Sequence, residues 1–350
     1  MSAPQRILVI GLSNIGDAVL MSPVIQALHE MAPDAALTLL VGERARALFE
    51  RDPRVRQLVT MEAFAGWRGR LRLVLWLWQQ RPEALIDLRQ TVLPFFWRPW
   101  RAWRYVRPVP RALHHMRDRH LWRLHMQLPA RTFSKFGMRN AECGMNTPHS
   151  ARRTPHAIWI SPDDVTWIGR LMTRWGVDAA KRLVVICPGA RSHIKRWDGG
   201  RFAQVADRLM AEEGVAVVFS GEPAEGELIN EIREQMTHRA HTAVGSTTVT
   251  QVAALMQRSA LVLTNDSASL HLAGAVGAPV LALFGPTDES KYGPTGARDR
   301  VLRRRLFCAP CEQALCRFHH ECMRFINTDE VFAAASTMLH ATSAHTRHPA

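Results

Sequence analysis

Four short stretches of this sequence combine acids, cations, hydroxyls and glycines at spacings suited to a phosphorylated ligand. The first is Ser13-Asn14-Ile15-Gly16-Asp17, with Gly11 just ahead of it. Gly11 and Gly16 permit tight backbone turns. Asp17 has two readings: a general base that accepts the proton of an attacking hydroxyl, or an acid favoured in the first turn of a helix by the helix dipole. The stretch lacks the third glycine of a dinucleotide fingerprint and the Gly-Lys-Ser/Thr ending of a P-loop. NAD binding and ATP hydrolysis both lose ground.

The second stretch is Pro188-Gly189-Ala190-Arg191-Ser192-His193-Ile194-Lys195-Arg196-Trp197. Lys195 or Arg196 can neutralise a diphosphate leaving group beside backbone N–H donors. The plainer reading is a basic surface loop. The third is Thr264-Asn265-Asp266-Ser267-Ala268-Ser269-Leu270-His271. Its small side chains let phosphate oxygens approach the backbone, although Asp266, Ser267 and Ser269 can equally cap a helix and His271 can be a core histidine. The fourth, Leu283 to Asp288 and then Gly293-Pro294-Thr295-Gly296, can seat a base or simply turn the chain.

Each motif leaves an apolar run that reads as a buried strand. Arg6–Ile10, Ala36–Val41, Val55–Val59 and Ala84–Leu88 alternate with helical stretches, the first near residues 18–31. A second, cleaner alternation follows a helix at 162–175. Its strands are Leu183–Cys187, Val215–Phe219, Leu261–Thr264 and Val280–Phe284, and its helices cover 199–213, 223–236, 248–257 and 267–276. Such alternation predicts parallel sheets covered on both faces. The fold class is therefore α/β, with two doubly wound Rossmann-like domains over 1–160 and 161–335 and a flexible tail at 336–350. Open parallel sheets bind ligands at the carboxyl ends of their strands, which predicts a cleft between the domains.

No uninterrupted apolar stretch reaches the roughly 20 residues that span a bilayer, and no secretory signal core opens the chain, so a cytoplasmic location is expected. The net charge is +14, and residues 95–155 hold thirteen Lys or Arg against only Asp118 and Glu142. Prolines punctuate this segment, so any helix in it must be short. It interleaves Trp97, Trp100 and Trp103 with Arg98, Arg101 and Arg104. Nucleic acid, an anionic membrane surface or a phosphorylated lipid-linked glycan each suits that pattern, as does a plain solvated basic face. Cys308, Cys311, Cys316 and Cys322 form C-x2-C-x4-C-x5-C. Reduced thiols shaping a compact loop are the first reading there, ahead of a structural zinc site and of disulfides.

In order and spacing over residues 5–335, Ser13 to Asp17, the Pro-Gly-Ala loop with Lys195-Arg196-Trp197, Asn265-Asp266-Ser267 with His271, and Phe284-Gly285-Pro286-Thr287 together resemble the lipopolysaccharide heptosyltransferases of glycosyltransferase family 9. The resemblance implies the two-domain GT-B architecture. It implies inverting, metal-independent transfer of a heptose or related sugar from an ADP-sugar to the lipopolysaccharide inner core, with no cofactor beyond that donor. Asp17 becomes the catalytic base and Lys195 the cation facing the donor diphosphate. Asp266, Ser267, Ala268 and His271 line the phosphate and sugar end, and Glu222 or Glu225 accepts bonds from the ribose. Ala268 stands where the family commonly has glycine, which narrows the approach to phosphate. The acceptor falls to the N-terminal domain, through Ser13, Asn14 and Gly16 and the basic residues Arg98, Arg101, Arg104 and Arg107. A lipid-linked acceptor also implies peripheral contact with the inner face of the inner membrane, and no nucleic-acid partner. Two rivals stand beside this reading: a nucleotide-sugar epimerase of similar fold, and a nucleic-acid-binding protein favoured by the pI of 10.7.

Overall fold

The computed structural model describes residues 5–128, 158–178 and 180–345, with the side chains of Arg101 and residues 342–345 outside that description. Cys143 and the 129–155 part of the basic segment lie outside the described residues, as do residues 346–350. The chain forms two compact units, 1–159 and 160–350.

In unit 1, β1 (Arg6–Ile10), β2 (Ala36–Val41), β3 (Gln57–Thr60) and β4 (Ala84–Asp87) make an all-parallel sheet in the order β3-β2-β1-β4. Ile7 to Ile10 and all of β4 are buried, because helices cover both faces of such a sheet. The helix Ile15–Met31 follows β1 directly, so it starts three residues earlier than the apolar periodicity suggests. Helix Gly66–Gln80 lays Leu73 and Leu77 into a core with Leu8, Ile10, Leu40, Leu85, Leu93 and Tyr105. The Tyr105 hydroxyl donates to the Leu85 carbonyl at 2.8 Å, which anchors the start of the basic segment to the sheet.

That segment also contains a regular helix, Met116–Gln127, contrary to the expectation of only short ones. Its buried positions include His120 and Gln127, so polar residues occupy places where an apolar stripe is sought. Among the described residues, neither ring nitrogen of His120 has a hydrogen-bond partner. Burial, helped by the charges of Arg123, Arg119 and His115, lowers its pKa to about 3. The unfolded chain takes up that proton below about pH 6.5 while the folded chain refuses it, so stability is lost as pH falls from there towards 3. We expect His120 to cost about 2 kcal/mol at about pH 5. Urea unfolding near neutrality and near pH 5 should show this loss, and His120→Leu should shrink it.

Unit 2 carries β5 (Leu183–Cys187), β6 (Ala216–Phe219), β7 (His241–Thr242), β8 (Leu261–Asn265), β9 (Val280–Phe284) and β10 (Arg300–Arg303). They form a parallel sheet in the order β10-β9-β8-β5-β6-β7. Capping defines the helices around it. Ser161 and Asp164 form a capping box for Pro162–Arg174, Asp198 caps Gly199–Glu213, and Thr248 with Gln251 caps Val249–Arg258.

The flexible tail expected from residue 336 is instead the later part of a helix, Thr328–His345. Val331, Ala335, Met338 and Leu339 are buried in the unit 2 core. Arg208 donates to Asp329 at 2.7 Å and Ser336 to Glu213 at 2.5 Å, fixing the helix along Gly199–Glu213. Small and polar residues such as Ser336 and Thr337 hide this helix in the sequence.

Candidate active site

In each sheet the strand order reverses between two neighbours: β1 and β4 in unit 1, β5 and β8 in unit 2. Loops leaving such a pair at their carboxyl ends diverge and open a crevice, the usual ligand position in a doubly wound fold. Three of the four sequence motifs leave these strands.

In unit 1 the loop after β1 is pressed against its surroundings. A Cβ on Gly11 would lie 2.6 Å from Met21 Cε, and one on Gly42 would lie 2.4 Å from Ser13 Cβ. Asp17 sits in the first turn of Ile15–Met31, where Asn14 Nδ2 donates to its Oδ2 at 3.1 Å. After β4, the Asp87 carboxylate accepts Thr91 N at 2.6 Å, Thr91 Oγ1 at 2.9 Å and Arg89 N at 3.0 Å. Burial drives its pKa up, opposed by those Thr91 bonds. Gln127 clamps the Asp87 backbone with two bonds, at 2.8 and 3.0 Å. Arg89 then reaches back, donating from Nη1 to Ser13 Oγ at 2.7 Å. Asp87 and Arg89 therefore complete a cluster that motif reading missed. Their signal was an acid and a cation at the end of the strand beside β1, visible only once the strand order is known.

In unit 2 Asp266 is buried and receives Lys195 Nζ at 2.7 Å and Thr287 Oγ1 at 2.5 Å. The second, third and fourth motifs thus meet on one carboxylate. Asn265 binds the same loops together, donating to the Pro188 carbonyl at 2.7 Å and accepting Trp197 N at 3.2 Å. Trp197 Nε1 donates to the Ile326 carbonyl at 2.9 Å, so the Lys195 loop rests on the C-terminal part of the unit. Ser267 precedes the helix Ala268–Ala275 without capping it through its side chain; its hydroxyl lies 3.3 Å from Thr264 Oγ1 instead. The first-turn N–H groups at Ala268 are left without that side-chain acceptor, an arrangement suited to an anion. His271 stands one turn along, half-buried, and Ser269 hydrogen-bonds the Cys187 thiol, which burial pushes up to about 12.

The two candidate glutamates differ in place. Glu222 is exposed, whereas Glu225 is partly buried and accepts Glu222 N at 2.9 Å. A Cβ on Gly189 would come within 1.9 Å of Glu225 Oε1, and one on Gly221 within 2.5 Å of Oε2. The Glu225 carboxylate therefore lies over the end of β5. Burial raises its pKa, opposed by the bond from Glu222 N and by Arg196, while the Glu222 charge adds to the rise.

Of the arginines proposed from sequence, Arg98, Arg104 and Arg107 make their described ring contacts with tryptophans of their own segment. Arg98 stacks over the Trp97 ring at 4.4 Å, and Arg104 and Arg107 over Trp103 at 5.5 and 5.3 Å. The backbone of Arg101 lies in the 3-10 helix Pro99–Arg104. Cys308, Cys311, Cys316 and Cys322 border one small pocket with Ile194, Pro286 and His320. Cys316 Sγ accepts the backbone N–H groups of Phe318 and His320, both at 3.3 Å, and burial pushes the Cys322 thiol up to about 11. Among the described residues, no group of three or more His, Cys, Asp or Glu side chains is arranged to hold a metal ion.

Residues 160–321 match the family model of glycosyltransferase family 9 (heptosyltransferase). Lipooligosaccharide heptosyltransferase 2 of Campylobacter jejuni is 30% identical over 165 residues, 45% of this chain and 51% of that protein. The chain thus spans about half the length of that relative. Lipopolysaccharide heptosyltransferase 2 of Escherichia coli is 25% identical over 324 residues, 85% of this chain and 88% of that protein. The solved structure of E. coli ADP-heptose lps heptosyltransferase II shares the fold, with a TM-score of 0.72 at 22% identity over 97% of this chain and 99% of that one.

Proposed function

We propose that this chain, whose residues 160–321 match the glycosyltransferase family 9 (heptosyltransferase) model, moves a heptose or related sugar from an ADP-sugar onto the inner core of a lipopolysaccharide. The observation that carries this reading is the convergence of Lys195, Asp266 and Thr287 beside the uncapped start of Ala268–Ala275, at the reversal point of the unit 2 sheet. A relative of this fold is named for ADP-heptose, which is the donor we assign.

In this reading unit 2 holds the donor. Backbone N–H groups at Ala268 and the Lys195 ammonium face the diphosphate and stabilise the charge that grows as ADP departs. Glu225 is the better placed of the two glutamates for the ribose hydroxyls. Unit 1 presents the acceptor to Asp17, which takes the proton of the attacking hydroxyl as the new glycosidic bond forms. Displacement at the anomeric carbon inverts its configuration, and Asn14 holds the Asp17 carboxylate for the proton. The acceptor is a phosphorylated lipid-linked glycan met at the cytoplasmic face of the inner membrane, with the basic segment beyond residue 95 in peripheral contact with anionic lipid. No helix among the described residues is long and apolar enough to cross a membrane.

The test is ADP-heptose turnover with and without truncated core acceptors, beside ADP titration. ADP release with a heptosylated product that appears only when acceptor is present is the expected result. Conversion of the free donor without acceptor would mean epimerisation, and failure to bind ADP would remove the donor assignment.

Gly189→Ala probes the nucleoside end separately. Its methyl must displace the end of the flexible Glu225 side chain, not backbone, so the fold should survive. ADP affinity should drop about tenfold, the worth of one charged hydrogen bond. Titration calorimetry should give Glu225→Gln a similar loss; an unchanged affinity in both variants would take Glu225 out of the site.

A further inference from the structure

We infer that one face of unit 1, built from the helix Gly66–Gln80 and residues 92–107, docks on an anionic phospholipid surface. This deepens the reading of a lipid-presented acceptor and assigns the contact to a helix outside the basic segment. On Gly66–Gln80, Gly69, Leu73 and Leu77 turn inward. Trp67, Leu71, Leu75 and Trp78 recur every three or four residues on the opposite side. All four are exposed, Trp67 at 68% and Leu71 at 59%. Trp78 Nε1 donates to the Phe96 carbonyl at 2.8 Å and bolts this stripe to the second element. There Phe96, Trp100, Trp103 and Val106 are exposed in turn, Trp100 at 72%. A soluble surface seldom gathers so many large apolar side chains without a partner.

Charge selects the partner. Residues 66–80 and 92–107 contain seven arginines and no acid. Two copies of this face would set like charges together, which opposes self-association. The aliphatic members Leu71, Leu75, Val92 and Val106 offer nucleic acid neither a stacking plane nor a hydrogen bond. A lipid headgroup layer satisfies every part. Tryptophan and leucine enter the boundary with the acyl chains, while arginines beside them meet phosphate. Arg68 already lies over the Trp67 ring at 5.1 Å, keeping its charge at the rim of the apolar stripe.

The experiment is co-sedimentation of the full chain with vesicles of phosphatidylcholine alone and of phosphatidylcholine mixed with phosphatidylglycerol, free of any glycan acceptor. Binding should need the anionic lipid and weaken with salt. Trp67→Ser/Leu71→Ser and Arg68→Gln/Arg72→Gln should each reduce the affinity about tenfold or more. These are exposed positions, so wild-type unfolding midpoints are expected and separate lost docking from lost folding. Equal binding to both lipids, no binding, or variants that bind like wild type would overturn the inference. So would a dimer or a DNA complex that the same variants abolish while vesicle binding is unchanged. Failure on vesicles with intact ADP binding and transfer to a soluble acceptor removes only this inference. Vesicle binding without ADP binding removes only the donor assignment.

Discussion

Asp17→Asn is expected to lower sugar transfer by about 10²- to 10⁴-fold, the usual worth of a positioned general base, while ADP affinity stays at the wild-type value. The geometry makes this a clean substitution. The amide oxygen of an asparagine can still accept the bond from Asn14 Nδ2, so the loop keeps its link to the helix. Loss of the first-turn negative charge costs the helix only about 0.3–1 kcal/mol. Single-turnover rates with saturating donor and acceptor isolate the chemical step. A variant that retains more than about a tenth of the rate would return Asp17 to the role of a helix-dipole acid. Asp17→Glu should recover part of the activity, because the base survives but is displaced by a methylene.

Lys195→Met should act on both stability and donor binding. Asp266 is buried, and the lysine supplies its only cationic partner among the contacts described, with Thr287 as the remaining donor. Removing one member of a buried pair leaves the other charge uncompensated, a loss of about 3 kcal/mol or more. The exposed side of Lys195 reduces the Coulomb part, so the lower end applies. ADP affinity should fall at least about tenfold beyond this, since a diphosphate loses a charge-assisted donor. Asp266→Asn separates the two effects: it keeps a group that can accept from Thr287 and frees Lys195 for phosphate. Calorimetric titration beside thermal unfolding should show Lys195→Met weak in both, and Asp266→Asn weaker in stability than in ADP affinity. Identical ADP affinity in Lys195→Met and wild type would place the cation outside the donor site.

Much of this was legible in the residues. Uninterrupted apolar runs such as Leu183–Cys187 and Val280–Phe284 read directly as strands because a parallel sheet buries both their faces. The motifs sat at the ends of those runs, and the fold put them there. What escaped had physical disguises. β10 is a short Arg-Val-Leu-Arg strand at the sheet edge, and β7 is two residues long. The helix Met116–Gln127 buries a histidine and a glutamine, and Gln127 earns its place through a backbone clamp on Asp87, 40 residues away. No local pattern announces such a pairing. The arginines at 98, 104 and 107 were conspicuous by number, yet among the contacts described it is the solitary Arg89 that reaches the Asp17 loop.

The meeting of Lys195 and Asp266 joins residues 71 positions apart, and Asn265 reaches Pro188 across 77. Their strands, β5 and β8, pair directly in the sheet although β6, β7 and the intervening helices separate them in sequence. Loop closure of that length is slow compared with local helix formation. Nucleotide capture by a refolding chain should therefore trail the recovery of helical circular dichroism. During synthesis, a nascent chain ending before Thr287 would present the Lys195 and Asp266 loops without the last hydroxyl that holds their shared carboxylate. With the donor held as proposed, ADP binding would report the meeting of the loops that follow β5, β8 and β9.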